Sequence, residues 1–196
     1  LQVEHPVTEL VTGVDLVEQQ IRIARGEELN IAQEEIRPNG HAIELRVYAE
    51  DPSNDFLPSI GKLTTYSVPK GKGIRVDDGL REGMDIPIHY DPMIAKLVTY
   101  GSTRDQAINM MLKAIEAYDI EGVATTLPFG RFVMQSEPYI TGNFDTHFVE
   151  EHFKPEYLDP TSTEMEIAAA LAAHLHREYH NDVRVKSMNG VSKWTQ

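Results

Sequence analysis

The sequence contains no cysteine, which excludes disulfide bonds, a thiol nucleophile and a thiolate metal site. Basic residues are few, with 18 Lys and Arg against 31 Asp and Glu, and the formal net charge is -13. Such a chain repels a phosphate backbone, and no basic cluster offsets the repulsion, so we expect no nucleic-acid binding. Long apolar runs are also missing, because His174 and His176 interrupt the Ala-rich stretch near Ala168, so we expect no membrane span.

The 196 residues include 41% hydrophobic residues, which is enough for a sizeable core. The first residue is Leu1, without an initiator methionine, a charged leader or a cleavage signal, so we expect the chain to begin inside a longer protein. No familiar glycine-rich phosphate loop is present, and Gly71-Lys72-Gly73 is typical of a hairpin turn.

The first 26 residues predict an extended segment followed by a helix. Pro6 disfavours helix at His5, which predicts an extended start. Asp15 is placed to cap a helix that runs to about Arg25 and ends at Gly26. The apolar stripe of that helix is expected to pack in the core. Its members are Leu16, Val17, Gln20, Ile21 and Ala24.

Alternating side chains predict a strand over residues 41–50, with Ile43 and Val47 on one face and Glu44 and Arg46 on the other. Further short strands are expected within residues 62–68, 73–76 and 94–100, separated by Gly and Pro. Together they favour a small mixed sheet, mainly antiparallel or barrel-like, within an α+β fold.

Three more helices are expected to flank the sheet. Thr103, with Asp105 in the first turn, predicts an amphipathic helix, and a short helix should cover residues 128–135. Thr163 begins a capping-box pattern that predicts a third helix to about Tyr179. This last helix forms a C-terminal extension or linker.

Several motifs occur together in one order and spacing, and they resemble biotin carboxylase. They are residues 1–9 (LQVEHPVTE), 40–52 (GHAIELRVYAEDP), 56–59 (FLPS), 61–63 (GKL) and 90–97 (YDPMIAKL). The resemblance extends from Leu1 to about Phe153. It implies that residues 1–39 are the end of an ATP-grasp region with a linking helix, residues 40–153 are a biotin carboxylase C-terminal domain, and residues 154–196 are a helical extension.

The resemblance implies an enzyme that activates bicarbonate with ATP as carboxyphosphate and then carboxylates a ureido nitrogen of biotin. It implies ATP, Mg²⁺ and biotin as cofactors, with a biotin carboxyl carrier and a carboxyltransferase as partners and a homodimer as a possible assembly. The location it implies is the cytoplasm, or the mitochondrial matrix in a eukaryote. Most ATP-grasp residues are missing from the sequence, so we expect this piece alone to be inactive.

Residues 2–4 are the candidate bicarbonate site. In an extended segment, Gln2 and Glu4 would point to one side while Val3 offers backbone groups. By resemblance, Glu4 is the base that deprotonates bicarbonate, while Gln2 and the main chain of Val3 hold its oxygens. Without the surrounding motif, Glu4 would be interpreted as one more solvated acidic residue.

Arg46 is the second candidate catalytic residue. By resemblance, its guanidinium stabilises the enolate that forms when biotin is deprotonated. Taken alone, Arg46 would be interpreted as a partner of Glu44 or Glu50 in a surface ion pair, and Glu44 and Asp91 are candidate neighbours.

Two other functions compete with this one. The domain could be a structural or interaction module that organises dimers or docks a carboxyltransferase, with the segment after Phe153 as the contact element. It could also belong to a different ATP-grasp ligase, such as a carbamoyl-phosphate synthetase or a purine-pathway carboxylase, where the QVEHP motif is not expected. The histidines His5, His41 and His89 are interpreted as scattered structural residues, and no metal site is predicted.

Overall fold

A computed structural model describes residues 1–87, 91–159 and 162–188 of the chain. The chain divides into two compact units, Leu1–Leu158 and Asp159–Gln196. The division at residue 39 that the motifs suggest stays a prediction.

Within these described ranges, seven strands form small antiparallel sheets. A three-stranded sheet has the order β1-β6-β5, and two two-stranded ladders pair β2 with β3 and β4 with β7. The strands are β1 (His41–Tyr48), β2 (Glu50–Asp51), β3 (Leu57–Pro58), β4 (Thr65–Ser67), β5 (Ile74–Asp78), β6 (Met93–Gly101) and β7 (Asp119–Glu121). The α+β prediction is confirmed, although every ladder in the described part is antiparallel and no barrel closes there.

Seven α-helices accompany the strands in the same ranges, and three short 3₁₀ turns cover Gln33–Glu35, Pro52–Asn54 and Pro155–Leu158. The helices are α1 (His5–Thr12), α2 (Leu16–Ala24), α3 (Arg104–Glu116), α4 (Leu127–Gln135), α5 (Glu137–Thr141), α6 (Phe148–His152) and α7 (Ser162–Met188).

The core lies between the three-stranded sheet and α3. Thr103 caps this helix by accepting a hydrogen bond from the Gln106 backbone, as predicted. Ala107 and Met111 are fully buried, and the Thr99 hydroxyl on β6 donates to the Ala107 carbonyl at 3.0 Å. The predicted alternation of β1 is confirmed, since Ile43 and Val47 are buried and Arg46 lies on the other face with its side chain partly exposed.

The chain is helical from His5 onward and forms a turn just before it, so the extended segment predicted there is wrong. His5 is the first residue of α1, and Pro6 occupies its first turn. A proline fits this position because the first backbone N–H groups of a helix have no intrahelical partner. The helix ends at Gly13, whose φ of 75° is in the left-handed region that favours glycine.

Helix α2 forms as predicted, but its apolar stripe is not in the core. The Asp15 carboxylate accepts a hydrogen bond from the Glu18 backbone at 2.8 Å. No residue of α2 is buried, and Val17 and Ile21 are 40% and 49% exposed. Leu16 is partly buried, but within the described residues Val17, Ile21 and Ala24 of the stripe stay exposed.

Aromatic side chains pack the end of the first unit against α4. This helix begins at Leu127, one residue before its predicted start. Phe132 on α4 stacks on Tyr157 with ring centroids 5.5 Å apart. Phe129 meets Phe153 edge to face at 4.9 Å, and Phe56 lies against both of those rings. These contacts hold the segment that leads out of the unit.

Helix α7 is longer than expected. It begins at Ser162, so Thr163 lies inside the helix and not at its cap, and it continues past Tyr179 to Met188. Ile167, Leu171 and Leu175 are all more than half exposed. Among the described residues, no helix is both long enough and apolar enough to cross a membrane.

Candidate active site

The polar face of the three-stranded sheet carries two rows of side chains. Strand register places Arg46 on β1 opposite Lys96 on β6, and Lys96 opposite Asp77 on β5. In the neighbouring row, Val98 on β6 separates Glu44 on β1 from Arg75 on β5. Directly paired residues on adjacent strands point to the same face, so positive and negative groups are interleaved there.

Helix α1 and the turn before it lie across this polar face. Glu4 Oε2 is 3.2 Å from Arg46 Nη2. At the far end of the helix, Glu9 Oε2 is 2.7 Å from Arg75 Nη1, and the other Glu9 oxygen accepts from the Leu16 backbone. The turn and the helix therefore reach from β1 to β5.

Residues 2–4 form a turn and not an extended strand. The Gln2 carbonyl accepts a hydrogen bond from the His5 backbone at 3.3 Å and lies 2.9 Å from His5 Nδ1. The strand alternation that was expected to place Gln2 and Glu4 on one side is therefore absent. Gln2, Val3 and Glu4 are all exposed.

Glu4 and Arg46, the two predicted catalytic residues, are in contact although 42 positions separate them in sequence. Their side chains are 53% and 42% exposed. Within the described residues the pair lies on an open surface, and no closed cleft surrounds it there.

The buried carboxyl group of Glu44 lies next to the guanidinium of Arg46. The Glu44 side chain is 5% exposed, and its Oε1 is 3.7 Å from Arg46 Nε. Burial raises the pKa of Glu44, although the charges of Lys96 and Arg46 act to lower it. Within the described residues, Glu44 Oε2 is buried without a hydrogen-bond partner. Buried acceptors without a partner are rare in folded proteins.

The guanidinium of Arg46 stays charged in this setting. Burial acts to lower the pKa of Arg46, but a hydrogen bond with Tyr48 and the negative charges of Glu44 and Glu4 outweigh it and raise the pKa above its ordinary value. Asp91, the other suggested neighbour, instead accepts a hydrogen bond from the Met93 backbone at the start of β6.

Thr126 holds the end of β1 and gave no signal in the sequence. Its hydroxyl donates to the Arg46 carbonyl and accepts from the Tyr48 backbone, both at 3.0 Å. These bonds bridge the point between Val47 and Tyr48 where the β1–β6 register shifts. Thr126 therefore helps to fix the backbone that carries Arg46.

We expect Thr126→Val to destabilise the chain by about 1–3 kcal/mol, because a backbone donor and a backbone acceptor would both lose the hydroxyl as a partner in a partly buried place. Valine has nearly the shape of threonine, so the change isolates the hydroxyl. Denaturant unfolding of the 196-residue chain measures the effect. Thr141→Val is the control, since that exposed hydroxyl bonds only within its own helix and its loss should change stability by less than about 0.5 kcal/mol. If the two changes lowered stability equally, the Thr126 hydroxyl would have no special part in fixing the end of β1.

The described residues contain no group of three or more His, Asp or Glu side chains arranged to hold a metal ion. His5 contacts its own turn through the Gln2 carbonyl. His89 and Tyr90 lie outside the described residues, so the prediction made for His89 cannot be compared with the fold.

Two family models match this chain. The model of the biotin carboxylase C-terminal domain matches residues 44–151, which is more than half of the sequence. The chain belongs to the biotin carboxylase family. The model of the carbamoyl-phosphate synthase L chain ATP-binding domain matches residues 1–32. The resemblance inferred from the motifs is therefore confirmed.

Curated relatives agree with this assignment. Biotin carboxylase 1 of Bacillus subtilis is 48% identical over 152 residues, which cover 78% of this chain and 34% of the relative. The propionyl-CoA carboxylase alpha chain of Ruegeria pomeroyi is 45% identical over a match that covers 90% of this chain and 29% of the relative. This chain thus spans about a third of the length of these relatives.

Solved structures give the same result for the fold. The biotin carboxylase domain dimer of the Hydrogenobacter thermophilus 2-oxoglutarate carboxylase, in complex with MgADP, ADP and bicarbonate, is 46% identical with a TM-score of 0.78. The match covers 83% of this chain and 35% of that one. A complete multifunctional pyruvate carboxylase from Rhizobium etli is 36% identical with a TM-score of 0.76, covering 82% of this chain and 16% of that one.

Proposed function

We propose that this chain is the C-terminal part of a biotin carboxylase, in which the Glu4–Arg46 pair forms one side of the site where bicarbonate is activated and biotin is carboxylated. The observation that carries the proposal is the 3.2 Å contact between Glu4 and Arg46. It brings a carboxylate suited to act as a base and a cation suited to bind an oxyanion to one place on the surface.

In the first half-reaction, Glu4 accepts the proton of bicarbonate, and a bicarbonate oxygen then attacks the γ-phosphorus of ATP. ADP leaves and carboxyphosphate forms. Gln2 and the main chain of Val3 hold the bicarbonate oxygens next to the base. All three residues belong to the turn that precedes α1 and are exposed, which leaves them accessible to a substrate.

In the second half-reaction, the bond between the carboxyl carbon and the phosphate oxygen of carboxyphosphate breaks, the departing phosphate takes the ureido proton of biotin, and negative charge develops on the ureido oxygen. Arg46 stabilises this charge through its guanidinium, the carboxyl group passes to the ureido nitrogen, and phosphate is released. The carboxyl groups of Glu44 and Glu4, both beside Arg46, orient the planar guanidinium before substrate arrives.

The described residues do not supply a metal site, since no acidic or histidine cluster of suitable size is found among them. No step of this mechanism is therefore assigned to Mg²⁺ on the residues of this chain. The ATP-binding groups are expected on a preceding lobe of the full-length protein, which would also close the open surface around Arg46. The orphaned oxygen of Glu44 supports this picture of a site completed by other groups.

We expect the isolated 196-residue chain to release no ADP above background when ATP, Mg²⁺ and bicarbonate are supplied. The full-length protein should release ADP in a bicarbonate-dependent way, because the nucleotide-binding lobe is then present. Coupled-enzyme detection of ADP with and without bicarbonate compares the two. Bicarbonate-dependent ADP release by the isolated chain, lost in Glu4→Gln, would contradict the proposal that the site needs a second lobe.

The partners and the compartment are proposed by analogy with the relatives. A biotin carboxyl carrier would deliver biotin, and a carboxyltransferase would use the product. The names "alpha chain" and "small subunit" indicate that those relatives belong to larger assemblies, and one similar structure is a domain dimer. The relatives include propionyl-CoA carboxylase alpha chains described as mitochondrial, so we propose the cytoplasm, or the mitochondrial matrix in a eukaryote.

A further inference from the structure

Lys96 connects the central strand of the sheet to the turn that carries the bicarbonate-binding residues. Its ammonium donates a hydrogen bond to the Val3 carbonyl at 3.3 Å. Among the described residues, no other side chain of the three-stranded sheet is found hydrogen-bonded to the backbone of residues 2–4. Lys96 is therefore one of the contacts that hold this turn over the sheet, together with the Glu4–Arg46 pair.

The Lys96 side chain is itself held in place. It is 13% exposed, and its Nζ lies 3.5 Å from Asp77 Oδ2 on the neighbouring strand. Arg75 binds both oxygens of Asp77, at 2.8 and 2.9 Å, and reaches Glu9 on α1 with its remaining amino group. A continuous series of charged contacts thus runs from the far end of α1, across β5 and β6, back to the turn at its start.

Strand pairing gives Lys96 one favourable and one unfavourable neighbour, because Asp77 and Arg46 both lie directly opposite it. Lys96 lies directly opposite Arg46, and like charges directly opposite one another on neighbouring strands are unfavourable. Burying most of an ammonium group adds a further desolvation cost. The Val3 carbonyl is a further partner of the ammonium, and it belongs to the turn before α1 and not to a strand.

We propose that Lys96 is a positioning residue that sets the orientation of the bicarbonate-binding turn, an inference that rests on the proposed function. The Val3 carbonyl and the Glu4 amide belong to one planar peptide unit, so a cation that fixes the carbonyl also fixes the plane to which Glu4 is attached. Lys96 thereby aims Glu4 and the Val3 main chain at the same bicarbonate ion without contacting it.

The test compares Lys96→Met with Lys113→Met in the full-length protein. Initial rates of bicarbonate-dependent ADP release are measured while bicarbonate and ATP are varied separately. We expect Lys96→Met to raise the KM for bicarbonate about tenfold and to change the KM for ATP by less than about twofold, since a misplaced turn weakens bicarbonate binding alone. Lys113 is an exposed residue of the last turn of α3, so its replacement should leave both constants unchanged.

Lys96→Arg keeps a cation and N–H donors, and we expect it to recover most of the bicarbonate affinity. An unchanged KM for bicarbonate in Lys96→Met would overturn the inference. So would a fall in kcat and melting temperature with that KM unchanged, because the role would then be structural only. If Lys96→Met does not fold, Asp77→Asn takes its place. It loosens the anchor of the ammonium, and a wild-type KM for bicarbonate in that variant would equally overturn the inference.

The two proposals fail in different ways. Absence of bicarbonate-dependent ADP release in the unmodified full-length protein contradicts the proposed function and the inference with it. Normal activity of the unmodified protein, together with normal bicarbonate affinity in the Lys96 variants, contradicts the positioning role alone.

Discussion

Arg46→Ala in the full-length protein should slow carboxyl transfer to biotin by about 10²-fold or more while bicarbonate-dependent ATP cleavage continues. In the proposed mechanism the guanidinium acts on charge that develops on biotin, after carboxyphosphate has formed. Its loss would therefore separate two half-reactions that the mechanism couples. ADP release and carboxybiotin formation, measured side by side in one reaction mixture, give the two rates.

Two further variants sharpen the Arg46 experiment. Arg46→Lys should restore little activity, because one ammonium group cannot reproduce the planar fork that faces Glu4 and Glu44 at once. Arg22→Ala is the matched control, since Arg22 forms an exposed pair with Glu18 on α2 and its removal should change neither rate. An equal fall in both rates for Arg46→Ala would mean that Arg46 is structural or acts on bicarbonate.

Glu4→Gln should reduce bicarbonate-dependent ATP cleavage by about 10²- to 10⁴-fold, because an amide cannot take the proton of bicarbonate. Glutamine keeps the size of the side chain and an oxygen that can accept from Arg46, so the turn should keep its shape. Steady-state ADP release at saturating ATP and bicarbonate measures the loss.

Glu18→Gln is the control for Glu4→Gln, because Glu18 is also an exposed glutamate paired with an arginine. The Glu18→Gln variant should release ADP at the wild-type rate. If Glu4→Gln also retained them, the base would be another group and the assignment of residue 4 would have to be abandoned. Thermal melting of both variants checks that any loss is not caused by unfolding.

The elements that the sequence predicted well are those whose signals are local. Thr103 and Asp15 cap helices because a short polar side chain can bond to backbone amides three residues ahead. The alternation in β1 identifies a buried and a polar face because side chains in a strand point alternately to either side. In each case the interacting groups lie within one turn or one strand of sequence.

The errors arose where one pattern permits two structures. A proline disfavours helix in the residue before it, but it also fits the first turn of a helix, and the second effect applies at Pro6. The α2 stripe gave the period of a helix but could not tell which surface would cover it. Residue spacing alone cannot resolve either choice, because the outcome depends on groups distant in sequence.

The site was predicted only in part, for the same reason. The motifs pointed to Glu4 and Arg46 through resemblance, and the fold brings them together across 42 positions. The roles of Thr126 and Lys96 depend on contacts across 80 and 93 positions. No local pattern records such contacts, so these residues became visible only through the strand register and the placement of α1.

The central claim is that the protein containing this chain carboxylates biotin at the surface formed by Glu4 and Arg46. The most direct measurement supplies radiolabelled bicarbonate, ATP, Mg²⁺ and free biotin to the full-length protein and quantifies label in the biotin fraction. The account predicts incorporation that requires ATP and biotin and disappears in Glu4→Gln. ATP cleavage by the unmodified protein without label in biotin, or labelling that persists in Glu4→Gln, would contradict it.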